Sequence, residues 1–456
     1  MMIRQLSLIL LVSVSLADRS IGQGEHGQTP NSPRAAPPNI IVILADDLGY
    51  GDTSVYDGWV QTPNLQRMAD EGLTFTDFHT NSSVCSPTRA AFLTGRYQQR
   101  VGIVDVIARH LDTPPLNPNQ QTIAQVLKTH GYQTALFGKW HLGMESSSNP
   151  VHFGFDEFRG YLDGYIDYHN HAHHWHHNLE IEPQTGYSTH LITQNSVRFI
   201  KENAHQPFFL YVSHEAVHLP FQTPADTMEA RKPVSKEDLW KRERIRPKYK
   251  AMLEEMDKGI GEIFSALRVS DIADSTLVFF FSDNGAIGAG SNQPFRGGKF
   301  SHYEGGHRVP AIAWWPGKIR AGSKCDGLVV AMDLLPTFAE IAGFKLATEA
   351  ASGATGIALA PDGISLANVL LSGAAPPDRQ VFFGYEPKLG TAMRDGPWKM
   401  ITKGDRVQLF HLGRDSGEQD NLVESESERA SSMRAAIDRW KEETAYRPPN
   451  TADTNQ

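Results

Sequence analysis

One cysteine heads the stretch Cys85-Ser86-Pro87-Thr88-Arg89, which runs on into Ala90-Ala91-Phe92-Leu93-Thr94-Gly95-Arg96. Proline suits the first helical position, where no amide donor is needed, so Pro87 is expected to open a helix. Cys85 then lies at or just before the positive end of that helix, with Arg89 about one turn further along the same face. A nucleophile at that place has its anionic form favoured, and the arginine is positioned to meet an anionic substrate group.

Further groups with chemistry to offer lie elsewhere. Asp46-Asp47 and Asp283-Asn284 bring together three carboxylates and an amide. Oxygen-only ligands suit a hard cation such as Ca²⁺ or Mg²⁺. Without a cation, clustered carboxylates repel and raise one another's pKa values. Either pair alone reads more readily as a helix or turn cap, but two such pairs, each following a buried strand, favour the cation. Lys139-Trp140-His141 and His218-Leu219-Pro220 add cations and groups that move protons near neutrality.

Phe295-Arg296-Gly297-Gly298-Lys299, followed by Tyr303-Glu304-Gly305-Gly306, forms a glycine-rich stretch in which Lys299 could clamp an anion. It lacks the spacing of a nucleotide P-loop, and a plain surface turn is the simpler alternative. The tract His169 to His177 lacks the cysteines or helical His-x3-His pair of a zinc site. It reads as a loop lining a carbohydrate pocket, with His169 as a substrate contact and Tyr168 and Trp175 stacking on sugar rings.

Four short apolar runs must carry these groups: Ile40–Leu44, Tyr132–Phe137, Phe208–Val212 and Leu277–Phe281. Each leads into one of the polar clusters, and runs without alternation suit strands buried on both faces. Helical patterns lie between them, at Thr62-Pro63 to Gly72, Gln121 to His130 and Pro247 to Leu267. The expectation is an α/β sheet with helices on both faces and one shared site beyond the carboxyl ends of its strands.

After about Gly343 the texture changes. Ala347–Pro361 is rich in alanine and glycine, and Ser372–Pro377 resembles a linker. Short strands at Val381–Phe383, Trp398–Ile401 and Val407–Phe410, closed by a helix over Glu424–Glu443, suggest a small α+β unit. The expected division is a catalytic unit over 39–375, the α+β unit over 376–446 and a flexible tail over 447–456.

Residues 1–17 read as a signal peptide, with Arg4, an apolar core from Leu6 to Leu16 and Ser15-Leu16-Ala17 as the cleavage site. A polar, proline-rich linker over 18–38 comes next, so a secreted or periplasmic location is expected. The apolar core is too short to span a bilayer. A net charge of −9 without a basic run argues against a nucleic-acid partner, and leaves local cations to hold any anionic substrate. The two cysteines, Cys85 and Cys325, would form a disulfide only if Cys85 is not chemically converted.

In this order the clusters resemble the formylglycine-dependent (type I) sulfatases of the alkaline phosphatase superfamily. The likeness extends from Asn39 to about Trp440. It rests on Cys85-x-Pro-x-Arg89 with Leu93-Thr94-Gly95-Arg96, on Ile40 to Asp52, and on Gly138-Lys139-Trp140-His141-Leu142-Gly143. Phe281–Gly285 and Gly298–Gly306 complete it. The resemblance implies an alkaline-phosphatase-like large mixed sheet flanked by helices, plus a small C-terminal unit with a short antiparallel sheet.

It also implies one Ca²⁺ held by Asp46, Asp47, Asp283 and Asn284, touching a formylglycine made from Cys85 by a formylglycine-generating enzyme. In that scheme the hydrated aldehyde attacks sulfur, favoured by Arg89, while Lys139 and Lys299 neutralise the sulfate oxygens. His218 protonates the leaving alcohol, and His141 takes the proton that releases sulfate. The substrate would be a sulfated carbohydrate. Phe153–Glu157, Trp314–Gly317 and Met332–Leu334 look most like galactose and N-acetylgalactosamine sulfatases. Three rivals remain: a phosphomonoester or phosphonate hydrolase of the same fold, an enzyme using Cys85 as thiolate, and a calcium-dependent glycan binder.

Overall fold

The computed structural model describes residues 37–171, 173–227, 241–346, 360–386 and 389–445. The signal peptide, most of the linker after it, most of Ala347–Pro361 and the tail lie outside the described residues. In chain order the first elements are β1 (Asn39–Ala45), α1 (Pro63–Asp70), β2 (Leu73–Phe75), β3 (Phe78–His79), α2 (Cys85–Thr94) and α3 (Ile123–Thr129). Next come β4 (Gln133–Lys139), β5 (Glu157–Tyr161), β6 (His176–His177), β7 (Glu180–Ile181), α4 (Ser188–Asn203) and β8 (Phe208–Ser213). They are followed by α5 (Arg242–Val269), β9 (Thr276–Ser282), α6 (Glu304–His307), β10 (Ala311–Trp314), β11 (Ser323–Cys325) and β12 (Val329–Val330). The last are α7 (Leu334–Ile341), α8 (Ala367–Ser372), β13 (Gln380–Glu386), β14 (Gly390–Asp395), β15 (Trp398–Lys403), β16 (Arg406–His411) and α9 (Ser427–Thr444).

Ten strands form one mixed sheet in the order β11-β2-β10-β9-β1-β8-β4-β5-β6-β7. Its centre is parallel: β1 pairs with β8 and β9, and β4 with β5 and β8. The β1 sequence Asn-Ile-Ile-Val-Ile-Leu-Ala is buried throughout, because both faces are covered. Ile40, Val42 and Leu44 enter one core with Phe92, Ile123 and Phe338, so α2, α3 and α7 cover that face. Ile41 and Ile43 enter the other with Leu65, Ile192, Met252 and Ile260, from α1, α4 and α5. A four-stranded antiparallel sheet, β13-β14-β15-β16, packs against α9 through Met393, Met400, Ile437 and Trp440. No helix among the described residues is long and apolar enough to cross a membrane.

Local details differ from the sequence expectation. Helix α2 begins at Cys85, so Pro87 is its third residue; that position also needs no intrahelical donor. Helix α5 begins at Arg242, five residues before Pro247. Thr62 precedes α1 without a side-chain cap bond. Instead, Asp257 of α5 accepts from the Asn64 and Leu65 amides at 3.1 and 2.8 Å, a cap supplied by tertiary contact. Strand β14 adds to the three expected in the C-terminal unit; its Gly-Thr-Ala-Met-Arg-Asp sequence carries a polar, turn-like pattern. Cys85 and Cys325 are both buried and unpaired, so no disulfide joins them.

Candidate active site

The parallel strands β9, β1, β8 and β4 end side by side, and their next residues converge. Asp46 and Asp47 follow β1, Asp283 and Asn284 follow β9, and Lys139 is the last residue of β4. Backbone bonds lock the crossing: the Asp283 amide donates to Ala45 O at 3.0 Å, and the Asp46 amide to Ala216 O at 3.0 Å. Asp47 has φ 60°, a left-handed turn that redirects the chain just past the strand. Its amide donates to Asp283 Oδ1 at 3.3 Å, and Asn284 Nδ2 donates to its Oδ1 at 2.7 Å.

Three cations oppose the three carboxylates. Lys139 Nζ lies 2.5 Å from Asp46 Oδ2, and Lys299 Nζ lies 2.6 Å from Asp47 Oδ1. Arg89 donates from Nε and Nη2 to Asp283 Oδ2 at 3.0 and 2.8 Å, and its Nη2 lies 3.6 Å from Asp46. Its Nη1 donates to Ser213 Oγ at 2.7 Å. Fully buried and committed in this way, Arg89 orients carboxylates; it is not the substrate clamp that its helical position suggested. Burial raises the Asp46 carboxyl, but Lys139 and then His218 pull it below the usual range. Asp47 is lowered in the same way, with Lys299 as the leading opposing charge. At Asp283, burial and the neighbouring Asp46 win, and its carboxyl is raised.

This cluster fits a hard cation. Asp46 Oδ1 and Asn284 Oδ1 are buried acceptors with no donor among the described residues. Burying such atoms unpaired is costly, whereas oxygen donors of this kind are the ligands Ca²⁺ takes. Cys85 sits at the first position of α2, yet its thiol is not activated: burial pushes its pKa up, and Lys139 and Lys299 recover only part of that. Burial thus works against the anion that the helix start favours.

The two histidines present different nitrogens. His218 Nδ1 donates to Leu219 O at 2.6 Å, which leaves Nε2 facing the site, 3.7 Å from Asp47 Oδ2. His141 Nε2 donates to Ile107 O at 3.0 Å, so its buried Nδ1 carries an unpartnered lone pair. Burial lowers the pKa of both, and at His141 Lys139 lowers it further. Gly164 packs against this ring: a Cβ there would lie 2.7 Å from His141 Nε2.

The histidine-rich loop is not what its composition suggested. Tyr168 and Trp175 are fully buried and cannot stack on a sugar. Tyr168 instead holds the Glu215 and His218 carbonyls at 2.9 and 2.8 Å. His169 Nε2 is bonded to Thr223 O at 2.9 Å, outside the carboxylate cluster. Among the described residues, the groups with metal-binding geometry are Asp46-Asp47-His218 and His79-Glu304-His307, and neither includes this tract. Ser213 and Tyr211, which hold Arg89, escape sequence reasoning, because a polar strand end and a tyrosine in an apolar run carry no distinctive signal.

Acidic, amide and cationic side chains gathered with a helix-initial cysteine on the strand ends of an α/β sheet form a site suited to hydrolysing anionic esters. The Sulfatase family model matches residues 38–344, and the chain belongs to the sulfatase family, enzymes that hydrolyse sulfate esters. It is 35% identical to human N-acetylgalactosamine-6-sulfatase over 444 residues, covering 84% of this chain and 81% of the relative. It is 31% identical to an arylsulfatase of Hemicentrotus pulcherrimus over 400 residues, 81% and 68% of the two chains. Among solved structures, Ps i-CgsB in complex with k-i-k-neocarrahexaose superposes with a TM-score of 0.78 at 27% identity, covering 91% and 96%. PsFucS1 sulfatase from Pseudoalteromonas sp. gives 0.73 at 25%, covering 91% and 92%.

Proposed function

We propose that the protein removes sulfate from a sulfated carbohydrate of the galactose or N-acetylgalactosamine type, using Ca²⁺ and a formylglycine made from Cys85. The observation that carries this is the cradle of Asp46, Asp47, Asp283 and Asn284, with its two unpartnered oxygens, next to Cys85 at the start of α2. These four residues would hold the calcium ion. When present, the ion and the modified residue supply a Lewis acid and a geminal-diol nucleophile.

The chain's own residues do the rest. Arg89 fixes Asp283 and Ser213, so the cradle is preorganised before substrate arrives. Lys139 and Lys299 place positive charge where sulfate oxygens gather. His218 presents Nε2 to the leaving oxygen and, once protonated, delivers a proton there; its lowered pKa makes it a strong donor. His141 keeps Nδ1 free and neutral, a base for the proton lost as sulfate departs.

Charge supports sulfate over phosphate. The three carboxylates and three cations of the cluster balance. A divalent cation leaves room for a monoanionic sulfate ester and an ionised nucleophile, whereas a dianionic phosphate ester overfills the site with negative charge. The names and complexes of the relatives support the carbohydrate class. The pattern of residues 1–17 supports export.

The test is mass spectrometry of the proteolytic peptide carrying Cys85, from protein co-expressed with a formylglycine-generating enzyme, alongside hydrolysis of matched aryl sulfate and aryl phosphate. A peptide lightened by thiol-to-aldehyde conversion, with sulfate hydrolysed faster, is expected. An alkylatable thiol in fully active protein, or preference for phosphate, would overturn the proposal.

A further inference from the structure

Tyr165, 58% exposed, and Phe300, 48% exposed, are aromatic rings left open to solvent. Singly exposed apolar residues need no explanation, but these two are not scattered. Tyr165 stacks on His218, ring centroids 6.0 Å apart at 23°. Phe300 has its ring centroid 5.7 Å from Lys299 Nζ. His218 and Lys299 in turn approach the two different oxygens of Asp47, Nε2 near Oδ2 and Nζ on Oδ1. Each open ring is thus separated from the carboxylate cradle by a single proton-transfer or charge-bearing side chain, and the two approach Asp47 through different partners.

Phe300 also holds an unfavourable backbone. Its φ is 66°, a region that a bulky side chain seldom adopts. The conformation is fastened by its amide, which donates to Ser83 O at 3.1 Å, two residues before Cys85. A glycine would adopt this turn without strain, so an aromatic ring held open here points to a use at the site.

We propose that Tyr165 and Phe300 form a two-sided aromatic platform that grips the apolar C–H faces of the sugar bearing the sulfate. This deepens the carbohydrate-sulfatase reading and rests on it. A pyranose offers a flat patch of C–H groups beside polar hydroxyls. Sites that select such ligands combine aromatic surface with a few fixed polar groups. Lysines recognise the sulfate alone and treat every sulfate ester alike, whereas the two rings read what is attached to it. They take the stacking role expected of Tyr168 and Trp175, which the fold buries.

Calorimetric titration with N-acetylgalactosamine 6-sulfate and with inorganic sulfate tests this in Cys85→Ser protein loaded with Ca²⁺, in which turnover does not obscure binding. Tyr165→Leu and Phe300→Leu keep apolar volume but remove the π face. Each is expected to weaken saccharide binding about 5- to 10-fold while sulfate binding stays within about twofold, the scale of one aromatic contact. Tyr165→Phe and Phe300→Tyr should bind the saccharide as the parent does. Equal loss for both ligands would mean that the rings only support His218 and Lys299, and would overturn the platform. Unchanged saccharide binding in the leucine variants, or a parent that binds the saccharide no better than sulfate, would overturn it too. A parent that binds saccharide through these rings but, with Cys85 converted, releases no sulfate from it would refute the catalytic reading and leave the platform standing.

Discussion

Replacing Lys399 by methionine removes a cation that two buried carboxylates share. Lys399 Nζ lies 2.9 Å from Glu304 Oε1 and 2.8 Å from Glu418 Oε1, and all three side chains are inaccessible to solvent. Glu304 also meets Arg394 at 3.2 Å and Arg308 at 3.2 Å, so it keeps partners when the lysine is lost. Glu418 keeps the Glu304 amide at 2.7 Å and the more distant charge of Arg394, which it shares with Glu304. Breaking a buried pair costs about 3–5 kcal/mol. Burial has already raised the Glu418 carboxyl, so taking up a proton caps the loss near the lower end, at about 3 kcal/mol. In a chain of this size that is a fall of about 3 °C in melting temperature, read by calorimetry at pH 7. Activity should fall as well, because Glu304 opens α6 five residues after Lys299, and Arg296 of the same loop donates to Glu418 O at 2.5 Å. Adding Glu418→Gln should restore more than half of the lost stability, since glutamine still accepts from the Glu304 amide. A single variant that loses less than about 1 kcal/mol, or a double variant no better than the single, would refute the account. The same cations set His79-Glu304-His307 apart from the Asp46 cluster: Lys399, Arg394 and Arg308 surround Glu304, its one carboxylate.

Added Ca²⁺ should raise the melting temperature, by the equivalent of about 2.7 kcal/mol at a hundredfold excess over the dissociation constant. Asp46→Asn should remove most of that rise, and a parent that shows none refutes the cradle. Gly164→Ala would place a methyl 2.7 Å from His141 Nε2. It should lower kcat about tenfold or more through the displaced ring with little change in folding, and unaltered kcat would remove His141 from the mechanism. Burial pushes the Glu215 carboxyl from 4.5 up to about 8, against the hydrogen bond from Ser188. The folded state therefore keeps a proton that the unfolded chain sheds, and stability falls as pH rises between those values, by up to about 1.4 kcal/mol per unit. Glu215→Gln should flatten that slope in melting curves measured from pH 5 to 8; parallel slopes would show that Glu215 is ionised throughout.

Hydrophobic patterning alone is enough to define the sheet's core strands and the polar residues at their ends. Ile40–Leu44 and Leu277–Phe281 are apolar without alternation, which only burial on both faces accommodates, and Asp46, Asp47, Asp283 and Asn284 come directly after them. Because parallel neighbours end at the same level, placing those strands side by side places their next residues together, and Lys139 and His218 join from β4 and β8 by the same logic. Local spacing also put Cys85 and Arg89 on one face of one helix. What a side chain does once it is there depends on groups distant in sequence, and that is legible only in the folded chain. Arg89 lies 194 residues from Asp283, and only the packed sheet turns it from a substrate clamp into a cradle brace. Cys85 has a helix start in its favour, yet burial outweighs it. Tyr168, Trp175 and Tyr165 belong to one aromatic-rich stretch, and nothing in their spacing distinguishes the buried from the open. Packing against Tyr187, Glu215 and Gln222 covers Tyr168, while Tyr165 stays exposed above His218. Periodicity and order along the chain set strands and their ends. Burial, charge pairing and exposure are sums over the whole fold, and they settled the roles.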